Sequence, residues 1–175
     1  VVPEFPANRD EFEVISLKEG DRVVGAVQLL SDSQHLVFIT TDAQLLHYAA
    51  SNVRPQGRAA GGVAGIKLGA NARVLWFGAI DPAREARVIT VAGSSSALPG
   101  TQAGAIKLAD FADFPSKGRA TGGVRAHRFL KGEDVLLQAW AAPTPLRATA
   151  ANGKPVMLTQ ELGRRDGSGE KLDKP

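Results

Sequence analysis

Two near-identical hexapeptides, GRAAGG at 57–62 and GRATGG at 118–123, stand 61 residues apart in this chain. The register between them continues without a gap, so that Val63 faces Val124, Lys67 faces Arg128, and Val74-Leu75 faces Val135-Leu136. A weaker third copy lies upstream at an offset of 51, where LKEGDRVVGAV (17–27) sits over LGANARVLWFG (68–78), as FLKGEDVLLQA (129–139) does downstream. Each unit of such an array buries its apolar face only against its neighbours, so repetition constrains the architecture before any single residue does. Unequal spacing points to loop insertions, and residues 94–103 read as the insertion that lengthens the second unit.

Within the units the pattern is β. RVVGAVQLL (22–30), HLVFIT (35–40) and QLLHYA (44–49) are short runs rich in Val, Ile, Leu and aromatics, separated by the turn clusters SDSQ and TDA. RVLWFGAI (73–80) and ARVITVA (86–92) repeat the theme across DPARE. DVLLQAWAA (134–142), PLRATA (145–150) and KPVMLT (154–159) repeat it again, the last two joined at Asn152-Gly153. No stretch sustains a helical period over three turns. Several strands per repeat predict an all-β fold of propeller-like blades of antiparallel strands, about three repeats being present. The units fall at roughly 17–67, 68–128 and 129–162, inside a folded region 1–162, with 163–175 (GRRDGSGEKLDKP) expected as a flexible tail.

Paired glycines allow positive φ and close approach of another strand or a ligand. That accounts for a tight hand-over between blades but not for the arginine after the first glycine. Charge adds to the question. Residues 1–50 hold 3 Lys+Arg against 8 Asp+Glu, residues 51–131 hold 12 against 4, and residues 132–175 hold 6 of each. A basic middle flanked by acidic and neutral segments suits a polyanion, although a solvated surface accounts for it equally well. Arginine forks and free backbone N–H groups both bind phosphate oxygens. Arg54, Arg58, Lys67, Lys117, Arg119, Arg125, Arg128 and Lys131 are therefore the expected DNA-binding residues, with Arg58 and Arg119 foremost because the repeat places them equivalently.

VRPQGRAAGGVAGIKL (53–68) and KGRATGGVRAHRFLKGEDVL (117–136) resemble the repeating elements of the C-terminal domain of bacterial type IIA DNA topoisomerase A subunits. HLVFITTDAQLLHYAASNVRPQGR (35–58) resembles the strand–turn–strand leading into such an element. GRRDGSG (163–169) resembles the chain end of actinobacterial versions, those of topoisomerase IV or of the DNA gyrase A protein. The resemblance implies a β-pinwheel, a propeller variant whose blades exchange strands, with double-stranded DNA bound around a basic rim. It implies a parent enzyme that passes one duplex through another, using ATP and Mg on other domains. The implied partners are the upstream catalytic core of the same polypeptide and the ATPase B subunit, at a cytoplasmic, nucleoid-associated location. The gyrase string QRRGGKG is absent and QGRAAGG (56–62) keeps only its general character, which favours a topoisomerase IV-like role. Three repeats are also fewer than a closed ring needs, so the chain reads either as the last half of the domain or as a truncated pinwheel. Its start at Val1, with Met157 as the one methionine, reads as a piece of a longer protein. A gyrase A segment, or a propeller module that binds protein through the acidic 1–50 segment, stays open.

No catalytic set is expected here. Tyr48 is the one tyrosine, and its setting LLHYAAS is that of a strand. His35, His47 and His127 are too scattered in sequence for a metal site, and His127 reads as a surface residue. GSSSALPG (93–100) lacks a nucleophile elbow, and neither hexapeptide is followed by the Lys-Ser/Thr of a phosphate loop. Trp76 and Trp140 are expected to fill core, with base stacking as the sharper alternative. The chain has no cysteine, which excludes disulfides and thiolate metal sites, and no apolar run long enough to cross a bilayer.

Overall fold

The computed structural model describes residues 10–57, 60–98, 104–149, 152–158 and 161–172. Its strands, in chain order, are β1 (His35–Thr40), β2 (Gln44–Ala49), β3 (Val74–Ile80), β4 (Ala86–Gly93), β5 (Ala105–Asp110), β6 (Val124–Arg125), β7 (Val135–Pro143), β8 (Ala148–Thr149), β9 (Pro155–Val156) and β10 (Glu170–Lys171). Among the described residues there is no α-helix, only single 3₁₀ turns at Ala50–Asn52 and Phe111–Asp113. Two four-stranded sheets run β3-β1-β2-β6 and β10-β5-β4-β7, and β8 pairs with β9. All the pairings are antiparallel. The all-β reading holds.

The repeat is visible in the turns. Asp21 N–H donates to Lys18 O at 3.0 Å, Ala72 N–H to Gly69 O at 3.2 Å, and Glu133 N–H to Leu130 O at 2.9 Å. The third residue of each turn has positive φ: Gly20 at 80°, Asn71 at 60° and Gly132 at 92°. Glycine takes that conformation freely and asparagine tolerates it, so all three sequences make the same turn. The insertion is visible as well. The short connection 41–43 after β1 corresponds to the longer one from Ser94 to Gly104 after β4, of which residues 99–103 lie outside the described part.

After each turn the chain does not pair with its own repeat. β3 pairs with β1 of the preceding unit, Phe38 facing Phe77, and β7 pairs with β4, Thr90 facing Ala139. The hairpins β1–β2 and β4–β5 thus each receive their outer strand from the unit that follows. Segment 22–30, expected as the equivalent strand of the first unit, carries no ladder. No hairpin among the described residues stands ready to receive it, and Val23, Val24, Val27 and Leu30 are exposed. The residues have strand propensity, but a strand also needs a neighbour to satisfy its N–H and C=O groups.

Hairpin β1–β2 is apolar on both faces because both are covered. Val37, Ile39 and Leu45 point to the cluster shared with the second sheet, where Val88, Ala92, Ala109, Leu136 and Ala141 meet them. Leu36, Leu46 and Tyr48 point the other way and pack with Phe38, Ile66 and Phe77. Each fully buried Leu or Ile contributes roughly 1.5–3 kcal/mol, so the face-to-face contact between the two sheets is a large share of the stability. Trp76 packs against the shared cluster with its indole over Gly78, where a Cβ would come within 2.3 Å of the ring.

Residues 163–172 follow a course different from the flexible tail expected for them. β10 pairs with β5, Glu170 facing Ile106 and Lys171 facing Ala105. This is the register in which β6 meets β2, with Val124 facing Leu45 and Arg125 facing Gln44. Leu45 and Ile106 are 61 residues apart, so RRDGSGEK (164–171) occupies on the second sheet the place that GRATGGVR (118–125) holds on the first. The segment is polar and glycine-rich, as a disordered one would be, but its glycines serve close approach. Gly123 (φ 75°) sits where a Cβ would lie 2.6 Å from Leu45 O, and at Gly169 a Cβ would lie 2.8 Å from Ile106 O.

Gly123→Ala combines left-handed strain with a backbone clash and is expected to destabilise the domain by about 1–3 kcal/mol. Gly118→Ala, whose nearest neighbour is Thr121 Cγ2 at 3.8 Å, is expected to be within about 1 kcal/mol of neutral. Urea titrations of the two variants check the contrast.

Candidate nucleic-acid interface

Each glycine-rich element docks on the segment that follows the previous element. Ser16 N–H donates to Ala60 O at 3.4 Å, Lys67 N–H to Thr121 O at 3.0 Å, and Arg128 N–H to Gly167 O at 2.9 Å. The donors are spaced by the two repeat offsets, 51 and 61. Ala120 N–H adds a bond to Gly65 O at 2.8 Å. Three equivalent docking seams result, and the structure answers what the arginine does there. Arg119 Nη1 donates to Ala64 O at 2.6 Å, and Arg165 Nη1 to Arg125 O at 2.8 Å, one seam further along. The guanidinium staples its element to the preceding unit while its remaining N–H groups stay at the surface. Arg58, the counterpart in the first element, lies outside the described residues, as does Ala59.

At the second seam Lys67, Lys117, Arg119 and Arg125 are all exposed. Lys117 Nζ donates to Gly123 O at 3.1 Å, and its N–H to His47 O at 3.1 Å. Arg128 is exposed at the third seam. None of these cations has an acidic partner among the described residues, where the ion pairs are Arg87 with Glu85 and Asp110, and Arg164 with Asp166. Arg54 follows the first 3₁₀ turn and Lys131 sits in the 130–133 turn, both exposed, and among the described residues no hydrogen bond ties either side chain to a seam. The structure therefore brings five of the expected residues to the seams, leaves two apart, and gives no account of Arg58. Arg164 and Arg165 escape a reading of the sequence because their element lies closer to its predecessor than the 61-residue offset and has lost one of the paired glycines.

Beneath the second seam the support is apolar. Tyr48 is buried, and its hydroxyl donates to Gly65 O at 3.2 Å. Burial pushes its pKa up, against the pull of the nearby Arg119. Gly65 lies flat on Phe38, where a Cβ would be 2.9 Å from the ring. Tyr48 is a core residue of this seam.

Beneath the third seam the support is polar. Lys107, 61 residues after Leu46, is 4% exposed and directs Nζ at Ala126 O (2.6 Å), Arg164 O (3.1 Å), Arg165 O (2.5 Å) and Gly167 O (3.2 Å). Burial lowers its pKa to about 8, with Asp166 opposing the shift. His127, expected at the surface, is 1% exposed. It stands at the position of Ile66 and inherits that residue's inward direction. Gly169 N–H donates to its Nε2 at 3.2 Å, so the ring proton is on Nδ1 and is given to Thr90 Oγ1 at 2.8 Å. Burial, then the charge of Lys107, lower its pKa to about 4.

His35 and His47, distant in sequence, also meet, Nδ1 to Nδ1 at 2.9 Å. His47 Nε2 lies 2.8 Å from Phe114 O and must donate to it, so His47 Nδ1 accepts and His35 Nδ1 donates. Burial lowers both pKa values. The pair joins strands and adds no metal site: among the described residues no group of three or more His, Cys, Asp or Glu is placed to hold an ion. No helix among them is long and apolar enough to cross a membrane.

Strand-exchanged blades with glycine-docked, cationic seams define a β-pinwheel. The family described as DNA gyrase C-terminal domain, beta-propeller, matches residues 13–29, 34–81 and 100–137, and the chain belongs to it. It is therefore a C-terminal domain of the kind carried by the A proteins of type IIA topoisomerases. The topoisomerase subunit TopoM of Mycolicibacterium smegmatis is 32% identical over 136 residues, 76% of this chain and 18% of that protein. The DNA gyrase A protein of Klebsiella oxytoca is 33% identical over 110 residues, 63% of this chain and 11% of that protein. The chain thus spans less than a fifth of the length of either curated relative. The fold is shared with the Escherichia coli ParC C-terminal domain, at a TM-score of 0.66 and 20% identity over 91% of this chain and 64% of that one.

The polar seam carries a pH dependence. His127 holds its proton off until about pH 4 in the folded chain, whereas the unfolded chain takes it up near 6.5. Its contribution is complete above about pH 6.5 and is lost as pH falls toward 4, on the order of 3 kcal/mol in all. Gln can accept from Gly169 and donate to Thr90 without titrating. The stability advantage of wild type over His127→Gln, from urea titrations, is expected to shrink by that amount between pH 6.5 and 4.

Proposed function

We propose that this chain binds duplex DNA through the cations of its docking seams and presents it for strand passage by a type IIA topoisomerase. The observation that carries the reading is the second seam. There Lys67, Lys117, Arg119 and Arg125 converge on one glycine-rich backbone, exposed and without carboxylate partners among the described residues. The groups that converge there are cations and main-chain N–H and C=O groups of a glycine-rich turn. Phosphate contact, indifferent to sequence, is what such cations supply. ATP hydrolysis and Mg-dependent cleavage belong in this reading to the catalytic core and the B subunit, which this chain would serve from the cytoplasm at the nucleoid. The role is topoisomerase IV-like in preference to gyrase-like, because QGRAAGG (56–62) stands where the strong wrapping string would be.

A second surface favours protein contact. Residues 10–30 expose Asp10, Glu11, Glu13, Glu19 and Asp21 together with Val14, Ile15, Leu17 and Val23. Acidic and apolar groups side by side repel phosphate and suit a protein neighbour, the catalytic core being the one this reading supplies.

Fluorescence anisotropy with a labelled duplex of random sequence tests the DNA reading over a salt series. With about four to six phosphate contacts, log K is expected to fall against log salt with a slope of about −4 to −5. Lys67→Gln with Lys117→Gln spares the arginine staple and is expected to reduce that slope by about two units. Absence of binding at low salt would overturn the proposal.

A further inference from the structure

The third seam has a counterpart for most of what the second seam presents. Lys67 and Arg128 occupy equivalent positions, each donating its N–H to the docked element, and Arg119 and Arg165 occupy equivalent positions, each stapling to the preceding segment. We infer that residues 164–171 are a third copy of the docking element and that they complete a second phosphate-binding station, made of Arg128, Arg165 and Lys171, the last standing where the second seam has Arg125, one repeat along from the first. The inference rests on the duplex-binding reading and extends it to residues otherwise expected to be a loose tail.

The station is assembled and not merely adjacent. Arg165 reaches Arg125 O because its element lies on β5, and the element lies there because Lys107 gathers three of its carbonyls, Arg164 O, Arg165 O and Gly167 O, along with Ala126 O. A buried ammonium stripped of water requires about that many acceptors, so its position fixes theirs. Lys107 is therefore a positioning residue: it does not reach the surface, yet it sets where the arginines stand. His127 holds the far end through Gly169 N–H. The acidic residues of the element temper the station. Asp166 takes Arg164 into an ion pair at 3.7 Å, and Glu170 stands where the second seam has Val124. Arg164 is for that reason left out of the station, and its affinity should fall below that of the first.

The test uses the whole chain and the same labelled random duplex, over a salt series at pH 7. Arg128→Gln with Lys171→Gln is expected to reduce the salt slope by about two units, as Lys67→Gln with Lys117→Gln does at the first station. Lys107→Met keeps the aliphatic stem and removes the ammonium. It should raise hydrogen exchange over 164–172 and at Ala105–Ile106, and lower the slope by about one unit through Arg165. Gly169→Ala, which sets a Cβ against Ile106 O, releases the same element by another route if Lys107→Met does not fold. If the first-station pair weakens binding while Arg128→Gln with Lys171→Gln leaves it unchanged, the second station is overturned and the duplex-binding reading stands. If exchange rises in Lys107→Met or Gly169→Ala and affinity does not change, the role of the docked element is overturned. If wild type binds no duplex at low salt, both fall together.

Discussion

The contact on which this structure depends is a glycine pressed against a main-chain carbonyl of the preceding unit. At Gly123 the neighbour is Leu45 O and at Gly169 it is Ile106 O, in both cases nearer than any side chain would permit. That approach lets β6 and β10 enter the ladder beside β2 and β5. The remaining seam bonds follow from it, including the amides of Lys67 and Arg128 and the arginine staples. Glycine carries a conformational cost of roughly 0.5–1 kcal/mol where it is held in one conformation. A single net hydrogen bond is worth about as much, so the seam holds by the number of bonds that the close approach permits.

Two neighbouring seams with the same backbone rest on opposite chemistry. Leu46, Ile66 and Tyr48 support the second, and Lys107, His127 and Thr90 support the third. The apolar support is non-directional and tolerates small shifts of the element above it. The polar support is directional, because each of its atoms has a named partner and no buried side-chain polar atom among the described residues is left without one. The substitution of one for the other shows that the docking geometry belongs to the backbone, and that the side chains beneath decide only how it is held.

Much of the architecture is legible in the chain. The offsets of 51 and 61 lead to equivalent turns at Gly20, Asn71 and Gly132, and the runs HLVFIT and QLLHYA are β1 and β2 residue for residue. β5 is not legible as a strand, because Lys107 interrupts its apolar pattern and its reason for being there is four carbonyls that come from elsewhere in the chain. Segment 22–30 reads as a strand on propensity alone, which says nothing about whether an edge is available to join. The candidate interface is legible in composition but not in geometry. A positive residue beside paired glycines signals a cation at a turn, whereas Arg119 being both a staple and a surface charge depends on where Ala64 O lies. The buried state of His127 is hidden by its basic neighbours, since Arg125 and Arg128 point outward from a stretch whose middle turns in.

Because the hairpins β1–β2 and β4–β5 each borrow an outer strand from the unit after them, a unit of sequence and a unit of structure are displaced from one another. β3 is encoded with the second repeat and completes the first sheet; β7 is encoded with the third and completes the second. A cut placed at any repeat boundary in the sequence therefore separates a hairpin from its strand and leaves two raw edges where modular blades would leave none. Lengthening is easier than cutting. A duplicated stretch of one full period brings with it both the strand its predecessor needs and the hairpin its successor will fill. Gene duplication can thus change the size of such an array in whole steps without leaving any sheet incomplete, which is a geometric reason for the copies to have remained in register.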